Sequence, residues 1–204
     1  MDKKYIGLGC LGALVLAVII IFVWVKGMYN GMVSTQEEAK TAWSNIDVIL
    51  KRNQQNLNSL ENILKGAVQY NEETLKEVIE ARAKATSINI DPTNCTPEQM
   101  QQWSQAQGDF DRALGRLLMV KEAYPELQAN EHFRTVMVQL EGSVNRLSEA
   151  RRKYNEAVKT YNIKVRSFPN TIFAGMFGFN VMYPYEAPQG TEENTTDFSS
   201  IVHD

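Results

Sequence analysis

Apolar residues recur along most of this chain in alternating steps of three and four. That spacing keeps one face of a helix in register over many turns. In the first such run the positions are Ala39, Trp43, Ile46, Leu50, Leu57, Leu60, Leu64 and Ala67, with Asn53 as the polar exception. A slip near Thr74–Leu75 carries the pattern on to Val78, Arg82 and Ala85. At the slip, Asn71 followed by Glu72 and Glu73 resembles an N-cap with acids near the positive helix end. The stretch is therefore one very long helix or two helices broken near Tyr70.

Further along, "SINIDPTNC" holds Pro92 among cap-type residues and predicts a loop. Thr96, Pro97 and Gln99 then stand at capping-box spacing with proline at the first helical position. The helix they open points Trp103, Ala106 or Gln107, Phe110, Leu114, Leu117 and the stem of Lys121 inwards, and stops before Pro125. The last helix starts after Asn130 as cap. Its stripe reads Phe133, Val136 or Met137, Leu140, Val144, Leu147, Arg151, Tyr154, Val158, Tyr161, Val165 and Phe168, and Pro169 ends it. So long a run of such steps predicts bundle packing of coiled-coil type. No segment alternates with period two for long, so no sheet is expected.

The N-terminus breaks this amphipathic pattern. Ile6 to Val25 holds twenty residues without a charge, enough to cross a bilayer core as a helix. Tyr5 and Trp24 stand at its ends, Lys3, Lys4 and Lys26 flank it, and Tyr29 follows as a further interfacial ring. The run is too long for a signal-peptide core and no small-x-small cleavage site follows it. A permanent anchor is expected. Lys3, Lys4 and the α-amine slightly outweigh Lys26 and Lys40, which leans towards an N-terminus inside and a body outside the cytoplasm.

Charge and chemistry narrow the picture mostly by exclusion. A net charge of −3 without a basic block argues against nucleic acid. Cys10 lies in the anchor and Cys95 in a polar loop, so no intrachain disulfide is expected. There is no nucleophile elbow, phosphate loop, CxxC or HExxH, and two histidines cannot build a multi-histidine metal site. No cofactor is implied. Arg82 and Arg151 fall on apolar stripes; each either snorkels outwards or joins a buried polar network that sets helix register.

Two further features stand out. "FPNTIFAGMFGFNVMYPYE" is dense in Phe, Met and Tyr, too short to span a membrane and too apolar to leave in water. It can pack on its own bundle, join a neighbouring subunit, or lie in the headgroup layer; Phe168, Phe173, Met176, Phe177 and Phe179 are its candidate contact residues. The second feature is "ARRKYNEAVKTYN", where Tyr-Asn occurs twice, seven residues or two helical turns apart. Tyr154 and Tyr161 fall on the apolar stripe, with Asn155 and Asn162 about 100° round at its edge. Because Asn is a poor helix former, the pair predicts side-chain hydrogen bonds across a helix or subunit seam.

Taken together, "MYNGMVSTQEEAKTAWSNI", "KGAVQYNEETLKEVIEARAKA", "YPELQANEHF" and "LSEARRKYNEAVKTYNIKVRSFPNTIFAGMFGF" resemble the LemA family in order and spacing. Where the family typically carries two arginines and then Asp-Leu-Ile-Pro-Asn-Leu, this chain has Lys51-Arg52 and no proline, which favours a straighter first helix. The resemblance implies a bacterial, membrane-anchored antiparallel helical bundle, without catalytic residues to carry over, in envelope roles often beside membrane proteases.

These readings set the expectation. The protein is all-α, with one transmembrane helix and an antiparallel bundle of three or four long helices. Residues 1–26 form the anchor and its flanks, 27–168 the bundle, 169–187 the aromatic segment, and 188–204 an acidic disordered tail. The function expected is that of a non-enzymatic scaffold in the bacterial cell membrane, held in lipid through residues 6–25 and self-assembling into a homo-oligomer. The alternative is an adaptor that regulates a membrane enzyme such as a protease or another envelope protein.

Overall fold

A computed structural model describes residues 3–64, 72–120, 127 and 129–187, with side chains described from Gly12 onwards except at Glu72 and Val120. The side chains of Tyr5 and Cys10, Ala67, the break near Tyr70 with the Asn71 cap, Lys121, the stop at Pro125 and the acidic tail lie outside the described residues. The described part holds five helices and no strand: α1 (Lys3–Leu64), α2 (Glu72–Ser87), α3 (Pro97–Val120), α4 (Glu131–Arg166) and α5 (Asn170–Phe177).

The dominant element is α1, whose 62 residues run without interruption from the apolar N-terminal stretch into the bundle. At 1.5 Å per residue it is roughly 90 Å long. Nothing in its sequence breaks it, since no proline falls between Lys3 and Leu64. Its N-terminal part is long and apolar enough to cross a membrane, and none of that part is buried against the rest of the protein.

Cross-helix contacts give the topology. The Arg82 guanidinium donates to Gln54 Oε1 at 2.7 Å. In one continuous helix these residues would stand about 42 Å apart, so α2 runs back along α1 and the single long helix is excluded. Gln107 Nε2 donates to the Ala85 carbonyl at 3.2 Å, Lys84 pairs with Asp109, and Arg116 pairs with Glu77, which sets α3 antiparallel to α2. Trp43 meets Tyr154, and Gln36 meets Tyr161, which sets α4 antiparallel to α1. The result is an up-down-up-down four-helix bundle.

Local signals account for where the helices start. Thr96 Oγ1 accepts from the Gln99 N–H while Gln99 Oε1 accepts from the Thr96 N–H, a reciprocal capping box. Asn130 Oδ1 accepts from the amides of His132 and Phe133 at the head of α4. Each cap satisfies donors that the helix itself leaves unpaired.

The core follows the stripes. Ala39, Ile46, Leu50, Leu57, Leu60 and Leu64 from α1 meet Phe133, Leu140, Leu147, Tyr154, Val158 and Tyr161 from α4. Two positions differ from the sequence pattern. Ser143, not Val144, takes the fully buried place between Leu140 and Leu147, and its hydroxyl is satisfied by donating to the Leu140 carbonyl at 2.6 Å. Val144 packs at the flank. Phe168 leaves the stripe altogether: α4 ends at Arg166 with Ser167 as its C-cap, and Phe168 is 81% exposed.

Candidate functional site

After α5 the chain runs from Phe179 to Ala187 without helix or turn, laid along α4 as a strap. The Tyr-Asn repeat holds it. Tyr154 Oη donates to the Tyr183 carbonyl at 2.9 Å, and Tyr161 Oη donates to the Asn180 carbonyl at 2.8 Å. Each asparagine amide bonds one strap residue twice. Asn155 Nδ2 donates to the Tyr185 carbonyl at 2.9 Å, while the Tyr185 N–H donates to Asn155 Oδ1 at 2.8 Å. Asn162 does the same at Met182, with 2.7 and 2.9 Å.

The register has a simple cause. Seven helical residues advance about 10.5 Å, and three residues of extended chain advance about 10 Å. A helix heptad therefore matches a three-residue step in the strap: Tyr154 to Tyr161 spans Tyr183 to Asn180, and Asn155 to Asn162 spans Tyr185 to Met182. An asparagine side chain carries the same acceptor and donor as a peptide group, so each pair imitates one rung of a β-ladder. Tyrosine adds a second bond from the apolar stripe. Burial pushes the Tyr154 phenol well above its ordinary value, and those of Tyr161 and Tyr185 upwards as well, so all three stay protonated.

The partner that Asn155 and Asn162 meet is thus the chain's own strap and not a neighbouring helix. Sequence reasoning did not find the strap, because all six of its atoms in this clamp belong to the backbone and leave no side-chain pattern. The one readable sign was the heptad repeat itself.

At its far end the strap closes over an aromatic and charged cluster. The Tyr185 ring meets Trp103 edge-on at 5.8 Å, Trp103 meets Trp43 at 4.3 Å, and Trp43 meets Tyr154 at 5.1 Å. Arg151 lies over the Tyr185 ring at 4.8 Å. Its guanidinium donates to both carboxylate oxygens of Asp111, at 2.5 and 3.3 Å, and to Gln107 Oε1 at 2.9 Å. Gln107 in turn bonds α2. The buried Arg151 so links α2, α3, α4 and the strap. Arg82 differs: it is half-buried, donates to Gln54 of α1, and its pKa is lowered by desolvation. Asn53 joins neither arginine; its amide is fully buried with no partner for oxygen or nitrogen among the described residues.

At its near end the strap leads to α5, which packs beside the start of the bundle. Phe173 meets Trp24 at 6.5 Å, Phe177 meets Tyr29 at 5.2 Å, and Phe179 meets Tyr29 at 5.5 Å. Ala174, Phe179 and Met182 are buried there, while Phe168 and Met176 point away from the protein. Lys26, placed with Trp24 and Tyr29 at the end of the apolar run, is exposed.

Little of this arrangement suits bond-making chemistry. Among the described residues no three His, Cys, Asp or Glu side chains converge as a metal site. A cleft of about 370 Å³ opens between α1, α2 and α3, lined by Trp43, Asp47, Lys51, Asn89 and Trp103 among others. Its two charged groups, Asp47 and Lys51, pair with each other at 2.6 Å.

The LemA family model matches residues 42–198. Magnetosome protein MamQ of Magnetospirillum gryphiswaldense is 23% identical over 86% of this chain and 71% of its own length. Magnetosome protein MamQ 2 of Paramagnetospirillum magneticum is 37% identical over 42% of this chain, a match that spans 32% of that relative. Protein LemA of Metamycoplasma hominis is 26% identical over 74% of this chain and 64% of its own length. None of these names is that of an enzyme.

Proposed function

This chain belongs to the LemA family, and from that premise we propose that it is a non-enzymatic scaffold of the bacterial envelope, held in the cell membrane by α1 and self-assembling there. The observation that carries the reading is the unbroken α1: one rigid element joins the apolar stretch to the bundle. The bundle's pose relative to the bilayer is then set by the helix and not by a linker. The strap reinforces this, since it ties the segment that follows α5 back onto α4 and so holds α5 beside Trp24 and Tyr29. Polar groups of the clamp are occupied by main chain, and the Arg151 charge is paired with Asp111, so their use is mechanical. Anchors that confine copies to one plane raise their effective concentration, so modest contacts between bundles suffice for assembly.

Cross-linking in native membranes followed by extraction in mild detergent tests the reading. A ladder of self-adducts is the expected result. A single abundant heterologous enzyme, such as a membrane protease, with no self-adduct would replace the scaffold by an adaptor role.

A further inference from the structure

The surface of α5 divides into two faces. Phe173 and Phe177 meet Trp24 and Tyr29 of α1, and Ala174 between them is buried. Phe168, Ile172 and Met176 follow at steps of four, and are 81%, 54% and 74% exposed. The four-residue step places Ile172 and Met176 on one side of the helix, and Phe168 stands exposed in the turn just before it. No charged residue occurs between Ser167 and Tyr185, so this outer face is apolar without interruption. A soluble protein rarely leaves such a patch open to water.

Its position says what covers it. The rings of Trp24 and Tyr29 bracket the end of the apolar run at Val25, and α5 packs on both of them. The patch therefore continues, at the same height, from a stretch of α1 that is itself apolar and exposed. Charge separates along the molecule in the same sense. Although the chain as a whole is acidic, no Asp or Glu occurs from Lys3 to Gln36 or from Ala157 to Tyr185. Those two segments carry Lys26, Lys159, Lys164 and Arg166 at this end of the bundle. Lys159 and Arg166 line one shallow groove with Ile163 and Ser167. Lys164 lies across Gly31, where an added Cβ would come within 2.7 Å of its ammonium nitrogen; glycine leaves room for the side chain to reach over α1.

We propose that α5 is a second membrane element: a short helix lying in the bilayer interface with Phe168, Ile172 and Met176 in the acyl region, ringed by Lys26, Lys159, Lys164 and Arg166, which select anionic phospholipid headgroups. Apolar insertion beside basic groups is the combination that holds interfacial helices on anionic membranes. With α1 it gives the protein two points of contact, which fixes the tilt of the bundle. The proposal rests on residues 6–25 being a span, and its test reports on that separately.

The 204-residue protein, with Cys10 and Cys95 replaced by Ser, is reconstituted into vesicles of phosphatidylcholine with phosphatidylglycerol. Nitroxide labels are placed singly at Leu16→Cys, Met176→Cys and Met119→Cys, all exposed positions. Accessibility to oxygen and to a water-soluble nickel chelate reads depth. The expected result is a deep label at 16, a shallow but lipid-exposed label at 176, and an aqueous one at 119. A deep label at 16 with an aqueous label at 176 overturns the proposal and leaves the span standing; an aqueous label at 16 overturns the span. A label at 176 shielded from both reagents, with dipolar broadening between copies, overturns the proposal in favour of a subunit contact. Headgroup choice is read from spin-labelled lipids. A severalfold preference for phosphatidylglycerol over phosphatidylcholine is expected. It should fall stepwise towards equal association as Lys159→Gln, Lys164→Gln and Arg166→Gln are combined. Equal association of the two lipids with the unsubstituted protein overturns the anionic selectivity.

Discussion

Helix α4 has two seams, and they are made of different forces. On one side its stripe packs apolar side chains into α1, from Phe133 and Leu140 through Leu147 to Val158. Along its edge, Asn155 and Asn162, with the hydroxyls of the stripe residues Tyr154 and Tyr161, hold a strap of main chain by six hydrogen bonds of 2.7 to 2.9 Å. The first seam draws on burial, which is large, non-directional and tolerant of the partner's details. The second draws on directional bonds whose net worth is modest, but which fix register to the residue. The difference teaches what each is for. The apolar seam makes the bundle, and the polar one positions a segment on it.

That contrast can be broken from either side. Leu140→Ala removes a fully buried side chain from the apolar seam. A loss of about 2–5 kcal/mol is expected, seen as a lower melting temperature with the entire bundle unfolding together. Asn155→Ala with Asn162→Ala attacks the other seam. Each change strands an amide and a carbonyl of the strap, at a cost of about 1–3 kcal/mol, and the opening should stay local: strap residues become sensitive to limited proteolysis while the bundle remains folded. Arg151→Met tests the joint between the seams. Asp111 is 26% exposed and can rehydrate, so the loss expected in thermal unfolding is about 1–2 kcal/mol; unchanged or raised stability with the same oligomeric state would show that the arginine network holds nothing. Asn53→Leu has the smallest effect and the opposite sign. It removes a buried amide that has no partner among the described residues and should raise stability in the same measurement by about 1 kcal/mol.

The same contrast explains what the sequence disclosed. Burial leaves a period in the side chains, so the stripes of α1, α3 and α4 and the caps at Thr96 and Asn130 were legible. The family resemblance added the bundle's likeness to known membrane-anchored proteins, and the missing proline near Leu60 agrees with the unbroken α1. Ser143 was not legible as a core residue, because its hydroxyl is satisfied within its own helix and a polar residue leaves no apolar period. The strap was invisible for a stronger reason. Its bonds to Asn155 and Asn162 use only peptide groups, which every residue but proline offers alike; Pro184, which lacks an N–H, falls between the bonded residues Tyr183 and Tyr185. The repeat of Tyr-Asn at seven residues announced that something was held, while the structure supplied the three-residue step that says what.

The central claim, that the heptad repeat clamps the main chain of the strap, is tested most directly by hydrogen exchange at two amides. In the unsubstituted protein the N–H groups of Met182 and Tyr185, which donate to Asn162 and Asn155, should exchange far more slowly than that of exposed Val181. In the Asn155→Ala, Asn162→Ala protein both should exchange at the rate of Val181, with the amides of α1 and α4 around Leu50 and Leu147 still protected. If the Met182 and Tyr185 amides exchange freely in the unsubstituted protein, or remain protected when both asparagines are gone, the clamp is contradicted.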